Sequence, residues 1–269
     1  MSATTLLSVR SIAKSLGGAA SRIPIIQSVS FDAQAGEFIS IVGPSGCGKT
    51  TLLMCLSGLL EVDQGELRFG GERVTEPPAG VSVVFQDYSR SLLPWKNCLA
   101  NVLFGMKRLT DMSSQDKLAW AHELIKSVGL EGFESSYPWQ MSGGMQQRVA
   151  IARGLAARSR LLLLDEPLAA VDAQTRAEMQ DLLLELAQHY KQTCVLVTHD
   201  VDEAVYMATR ILVLSRRPTT VVEDIRVDLP AVRDQLSTRE LPAYLALRHK
   251  VITLIRQSRD RDRQLAASQ

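Results

Sequence analysis

Aromatic side chains are scarce in this chain of 269 residues, and no Phe, Tyr or Trp stands before Phe31. Any flat apolar face that the N-terminal segment offers must therefore be aliphatic. The four cysteines, Cys47, Cys55, Cys98 and Cys194, form no Cys-x-x-Cys pair and fall in segments that read as buried or anion-facing. This pattern argues against disulfides and zinc, and for a reducing cytosol. Long apolar runs are missing too. Leu161-Leu162-Leu163-Leu164 falls far short of the roughly 20 residues that a membrane span requires, so any membrane role is expected to be peripheral. Met1 to Gly18 has polar residues every few positions and no small-residue cleavage site, so no signal peptide is expected. Net charge is almost absent, with 30 basic against 29 acidic residues, which gives no electrostatic reason to expect nucleic acid as a partner. The length allows one large domain or two intimate ones.

What is present is organised around Gly43-Pro44-Ser45-Gly46-Cys47-Gly48-Lys49-Thr50, which fits the phosphate-loop pattern G-x-x-x-x-G-K-[ST] at every fixed position. The apolar run Phe38 to Val42 before it reads as a buried parallel strand, and Thr51 to Leu56 after it continues as a helix. A chance glycine-rich turn would lack this strand-loop-helix setting. Glycines at 43, 46 and 48 let successive backbone N–H groups wrap phosphate oxygens at a helix N-terminus. Lys49 is then expected on the β- and γ-phosphates, and the Thr50 hydroxyl on Mg²⁺, with Thr51 beside it.

Around this loop the chain alternates strands and helices. Leu6 to Val9 and Ile23 to Phe31 read as strands flanking the turn Gly17-Gly18; Gly65 to Gly71 reads as a strand ending at a hairpin; Val81 to Phe85 is another strand. From about Asp87 to Arg158 the pattern is helical. Ser113 with Asp116 three residues on marks a helix start, and a second helix follows Met141-Ser142-Gly143-Gly144. Strands then return at Leu161 to Leu164, Cys194 to Val197 and Ile211 to Leu214, separated by helices at Ala173 to Tyr190 and Val201 to Ala208. Such alternation implies a mostly parallel sheet covered on both faces. Beyond Thr220 lies an appendix, extended at Val221 to Leu229, helical at Tyr244 to Ile255, and ending in a polar, frayed tail from Arg259.

Splitting a nucleoside triphosphate needs a metal, an oriented water and charge stabilisation, and strand ends offer a candidate for each. Asp165, after four leucines, is placed to hold Mg²⁺, and Glu166 beside it to polarise the attacking water. Gln86 ends an apolar strand and has an amide oxygen for Mg²⁺ or for that water. His199 ends another and is a candidate γ-phosphate sensor, although a lone histidine is more often structural. Asp172 reads as the N-cap of the helix from Ala173, as part of a subunit contact, or as both. Ser142-Gly143-Gly144, followed at once by a helix, is a second anion cradle. One nucleotide does not need two cradles within a subunit. A head-to-tail pair, each subunit closing the other's site, is the economical solution.

With these residues in their order, the chain resembles the nucleotide-binding subunit of an ABC transporter over nearly its whole length to about residue 225. The motifs are Walker A at Gly43 to Thr50, Q-loop Gln86, signature Ser142-Gly143-Gly144-Met145-Gln146, Walker B Leu161 to Glu166, D-loop Asp172 and switch His199. The resemblance implies an α/β fold. Its parts are a P-loop NTPase core of the RecA-like, mostly parallel type, an antiparallel β subdomain, and an inserted α-helical signature subdomain. It divides the chain into 1–87 (β subdomain and first part of the core), 88–158 (helical subdomain), 159–225 (second part of the core) and 226–269 (C-terminal extension). It also implies ATP and Mg²⁺ as ligands, a head-to-tail dimer around ATP, and Glu166 as general base. Transmembrane permease subunits are implied as partners at the cytoplasmic face of the membrane, with a periplasmic or extracellular solute-binding protein beyond them. The segment continuing through Ser91-Leu92-Leu93-Pro94-Trp95 is where such subunits receive the permease, with Trp95 either displayed there or in the core. That segment and Val222 to Pro230 resemble, more narrowly, the nitrate, sulfonate and taurine importer branch.

Departures from the family pattern mark points to test. Leu16 stands where the family usually places an aromatic on adenine, so weaker stacking and looser discrimination of ATP from GTP are expected. Met141 replaces a leucine, and Ala169-Ala170-Val171-Asp172 lacks the usual serine. A non-transport ABC ATPase acting on nucleic acid or ribosomes is the main alternative. Such chains carry long coiled coils or two cassettes, and neither occurs in this sequence. From Ala231 onward eight Arg/Lys face four Asp/Glu, a modest excess better suited to a solvated surface. A GTPase would need Asn-Lys-x-Asp, which is absent.

Overall fold

The structure, a computed structural model, describes residues 5–18, 21–87, 91–169 and 171–266, with side chains described as far as residue 258. In chain order, β1 (Thr5–Leu16) and β2 (Ile23–Gln34) form a long hairpin, and β3 (Phe38–Val42) leads into α1 (Lys49–Leu56). A short hairpin, β4 (Gln64–Phe69) with β5 (Glu72–Arg73), precedes β6 (Val81–Val84). Helices α2 (Cys98–Gly105), α3 (Ser114–Ser127) and α4 (Gly143–Ala156) follow. The alternation resumes with β7 (Leu161–Asp165), α5 (Ala173–His189), β8 (Thr193–Val197), α6 (Val201–Met207), β9 (Arg210–Leu214) and β10 (Thr219–Arg226). The chain closes with α7 (Ser237–Glu240) and α8 (Pro242–Ala266). It divides into two compact units, Met1–Pro78 with Thr193–Gln269, and Ala79–Gln192.

In the first unit the strands run in the order β5-β4-β1-β2-β10-β9-β3-β8. β3 lies between β8 and β9 and is parallel to both. Every residue of β3 and β8 is buried, as expected of strands apolar on both faces. The other half is antiparallel, β1 pairing with β2 and β4. There β2 alternates, burying Val29, Phe31 and Ala33 while Ser28 and Ser30 face solvent, the period-2 pattern of a half-buried sheet. β10 joins the halves, antiparallel to β9 and parallel to β2. The stretch expected to begin an appendix is therefore a sheet strand. Thr219 and Ile225 on it are buried, and the Thr219 hydroxyl donates to the carbonyl of Cys47. α6 covers β3 with Ala204 to Met207 buried, and α8 packs on α6 and β9 through Tyr244 and Val251. The helix expected to end near Ile255 continues to Ala266.

In the second unit β6 runs parallel to β7 in the register Val81–Leu161 to Val84–Leu164. The helices stand as the sequence places them at Ser113 and Ser142, both of which cap. α2 is an addition: in Cys98 to Gly105 the one polar residue, Asn101, is itself buried among apolar neighbours, so no amphipathic helical period shows. Its N-cap is Asn97, and it meets α4 backbone to backbone at Gly105, where a Cβ would stand 2.3 Å from the Arg153 carbonyl oxygen. Only glycine allows that approach.

All four cysteines are free and buried, in keeping with the expectation of no disulfide. Desolvation pushes Cys55 up to about 11 and Cys98 and Cys194 up to about 12, which leaves them as inert thiols.

Candidate functional site

The phosphate loop is held by what flanks it. β3 ends at Val42, and Gly48 opens α1 in a left-handed conformation with φ 111°. A Cβ at Gly48 would stand 2.6 Å from Ile25 Cγ2, so both conformation and space demand glycine. Helices α2 to α6 each begin with a side-chain cap, at Asn97, Ser113, Ser142, Asp172 and Asp200. α1 has none, and no carboxylate occupies its first turn. Its N-terminal dipole is thus left for an external anion, which is the test that a nucleotide phosphate must pass. Lys49 is buried, its ammonium folded back over the loop by bonds to the carbonyls of Gly43 (3.0 Å) and Pro44 (3.3 Å). Ser45, Gly46 and Thr50 are exposed, Thr51 is half-buried and Pro44 and Cys47 are buried. The Cys47 thiol is pushed up by desolvation, so it contributes shape rather than reactivity. One cation was not foreseen from the sequence. An Arg217 amino group lies 3.6 Å from where a Cβ at Gly46 would be, and only folding brings residues so distant together.

Leu16 ends β1 opposite Ile23, and both are exposed. Two residues on from Ile23, Ile25 lines the phosphate loop at Gly48. The last pair of the β1–β2 hairpin, Leu16 with Ile23, is accordingly aliphatic.

In the second unit Asp165 closes β7, buried to 4 % exposure, while Glu166 is half-buried. Glu166 has φ 44°, a left-handed backbone that costs a non-glycine residue about 1–3 kcal/mol and concentrates at functional positions. The Gln86 amide donates to Glu166 Oε2 at 3.4 Å. Asp165 and Gln86 in this unit, and Thr50 in the first, each carry an oxygen donor of the kind that a hard cation takes. Among the described residues no cluster of three or more His, Cys, Asp or Glu side chains could hold a metal.

The signature turn is shaped by its own side chains. Gln146 donates to the carbonyls of Pro138 (2.9 Å) and Met141 (3.1 Å), and Ser142 Oγ accepts from the Met145 N–H (3.3 Å). Met141 is buried in the place of the family's leucine. Gly143 and Gly144 open α4 at the mouth of a cavity of about 680 Å³, whose other walls include Phe133, Arg148, Asp172 and Thr175. Asp172 caps α5, accepting from the N–H groups of Gln174 and Thr175 and from the Thr175 hydroxyl. The helix-cap reading of Asp172 therefore stands; Ala170 lies outside the described residues. His199, back in the first unit, is exposed at the turn between β8 and α6.

Trp95 is 70 % exposed, which removes the core alternative. Its loop is built on Asn101, fully buried, whose amide bonds the backbone of Leu93, Lys96 and Asn97. Arg153 ties Ser91 in the same way, through its carbonyl (2.6 Å) and hydroxyl (3.0 Å). Neither residue had a signal in the sequence, where a buried Asn looks like any polar helix residue.

A sequence model described as "ABC transporter" matches residues 26–169. An uncharacterised ABC transporter ATP-binding protein of Methanocaldococcus jannaschii is 42% identical over 250 residues, 93% of this chain and 91% of the relative. The taurine import ATP-binding protein of Escherichia coli K12 is 42% identical over 241 residues, 88% of this chain and 93% of that protein. Among solved structures, a dimeric bacterial ABC transporter cassette superposes with a TM-score of 0.73 at 30% identity, covering 83% of this chain and 99% of the cassette. The post-hydrolysis dimer of such a cassette, bound to ADP and phosphate, gives 0.72 at 30% identity over the same shares. The chain belongs to the ABC transporter family. Within it, this is an α/β cassette of the ATP-hydrolysing kind.

Proposed function

We propose that this chain is the ATP-binding and ATP-hydrolysing subunit that energises import of a small solute, of the nitrate, sulfonate or taurine class, through a membrane ABC transporter. The observation that carries the reading is the pairing, in one chain, of an uncapped phosphate-loop helix with a second cradle at Ser142-Gly143-Gly144. Relatives named for taurine import support the direction and the solute class. In this reading the loop from Gly43 to Thr51 takes the phosphates, Lys49 the β- and γ-oxygens, and Leu16 lies under the base. Mg²⁺, held through Thr50, Asp165 and Gln86, neutralises charge developing on the transferred group. Glu166 accepts the proton of the attacking water, and His199 donates to the γ-phosphate. A second copy, head to tail, presents its Ser142, Gly143, Gly144 and Gln146 to that phosphate, with Asp172 at the subunit contact. Residues 88–158 act as the signature-bearing helical segment between the core parts 1–87 and 159–225, with 226–269 as an extension.

Among the described residues no helix is long and apolar enough to cross a membrane. The proposed location is peripheral, on the cytoplasmic face, against permease subunits that work with a solute-binding protein outside. Trp95, with Pro94 exposed beside it, is the docking point. The test is recovery from membranes: the tagged chain is expected to bring a permease with it, and Trp95→Ala to lose at least about nine-tenths of that permease, since exposed Trp anchors are typical hot spots. Recovery of ribosomes or nucleic acid with no permease would favour the alternative instead.

Nucleotide choice is a separate expectation. With Leu16 where the family places an aromatic and an aliphatic partner in Ile23, GTP turnover should fall within roughly tenfold of ATP turnover, and Leu16→Tyr should tighten binding of both nucleotides by about tenfold, within the range that stacking contributes. A strong preference for ATP in the unaltered chain would overturn it.

A further inference from the structure

His199 leads directly into α6, and a helix of seven residues does not hold itself in water. Its start is fixed from two sides. The Asp200 N–H donates to Thr198 Oγ1 (3.0 Å), while Asp200 Oδ1 accepts from the N–H groups of Asp202 (2.9 Å) and Glu203 (3.1 Å). α8 supplies the other side. The hydroxyl of Tyr244, which is 1 % exposed, lies 3.1 Å from both the carbonyl oxygen and Oδ1 of Asp202. Arg248 Nε donates to the same Oδ1 at 2.7 Å. Burial, and then the Asp202 charge, push the Tyr244 phenol well above its ordinary range, so it stays a donor. The same segment reaches the far end of α6. Arg233 Nη2 donates to the Ala208 carbonyl at 3.1 Å, and the Arg239 guanidinium lies 5.2 Å over the buried ring of Tyr206. A phenylalanine at 244 would pack equally well. The hydroxyl and the guanidinium add direction, both converging on one carboxylate in the first turn after the histidine.

We propose that the C-terminal segment from Arg233 to Arg248 is a clamp that positions His199 for hydrolysis, with Tyr244 and Arg248 acting through Asp202 on the turn that carries the histidine. The inference rests on the reading of His199 as the residue that meets the γ-phosphate. Tyr244 and Arg248 touch no substrate in this scheme; they are positioning residues. Their hydrogen bonds set the angle at which α6 leaves β8, and with it the reach of the imidazole.

The test compares variants of the full-length chain in two backgrounds by steady-state hydrolysis of radiolabelled ATP over a range of ATP concentrations, a measurement sensitive enough for slow enzymes. Tyr244→Phe and Arg248→Ala are each expected to lower kcat roughly three- to tenfold, the span that one hydrogen bond commands, with KM for ATP unchanged. Arg248→Lys should retain most of the activity. In a His199→Ala background the same two substitutions should cause no further loss, because the residue they position is gone. An equal fractional loss in both backgrounds would assign Tyr244 and Arg248 a general structural role and overturn the proposal, as would a raised KM at unchanged kcat. If His199→Ala itself leaves kcat unchanged, the reading of the histidine fails and the clamp falls with it, an outcome separable from the first because it appears before α8 is altered. Tyr244→Phe keeps the buried ring, so loss of folding does not confuse the result.

Discussion

Glu166→Gln is expected to lower ATP turnover by about 10²- to 10⁴-fold while leaving ATP binding intact, the range that a positioned general base contributes. The expectation rests on local geometry. Asp165 and Glu166 are adjacent, yet the left-handed backbone at Glu166 gives them different surroundings, one buried at the end of β7, the other half-buried beside Gln86. A protein retains such a backbone at a non-glycine residue only where the surroundings impose it. The substitution keeps the shape of the side chain and its hydrogen-bonding capacity toward Gln86, and removes the ability to take a proton. With chemistry blocked, ATP should hold the dimer closed, so size-exclusion chromatography should show a dimer with ATP and a monomer without it. Unchanged turnover would remove Glu166 from the chemistry. Loss of turnover with no ATP-dependent dimer would count against the shared site.

The residues of this site were largely legible in the sequence because anion binding constrains backbone and side chain at once. Gly48 shows the reason: its φ of 111° and the crowding by Ile25 exclude other residues, so the pattern is visible in one dimension. Side-chain caps are equally readable: Ser113 and Asp172 cap the helices assigned to them. What escaped depends on contacts distant in the chain. α2 hides in Cys98 to Gly105 because its only polar residue, Asn101, lies on the buried side, which leaves no polar face to mark a 3.6 period. On α8, Leu245 looks inward by composition but is 53% exposed, while its neighbour Tyr244 is the buried one, its hydroxyl against Asp202. Trp95 is displayed because Asn101 holds its loop, a relation between a buried amide and three backbone groups that no spacing rule encodes. The strain at Glu166 leaves no trace in composition at all. Motif spacing thus singled out the groups proposed to do chemistry, and folding alone reported the contacts that surround them.

The shared site makes its largest prediction in mixed dimers. Lys49→Ala removes the ammonium from the phosphate loop of one subunit, and Gly144→Asp places a carboxylate at the signature turn of the other, each in a Glu166→Gln background that prevents hydrolysis. Neither change should unfold its chain. A Cβ at Gly144 meets nothing closer than the Thr175 methyl at 3.2 Å, the far end of a side chain, and an acidic residue in the first turn of α4 is favoured by the helix dipole. The new carboxylate lies where the partner's γ-phosphate should arrive, and like charges exclude it. Homodimers of either variant have no complete site and should trap no ATP. In a mixed dimer, both lesions fall in one composite site. The other combines the intact phosphate loop of the Gly144→Asp subunit with the intact signature turn of the Lys49→Ala subunit. Isolated through two different tags, that dimer should hold about one ATP per pair of chains, because two-fold symmetry makes two equivalent sites and only one is spared. A mixed dimer that traps nothing, or a Gly144→Asp homodimer that traps ATP unaided, would show that the second cradle does not close the partner's phosphate loop.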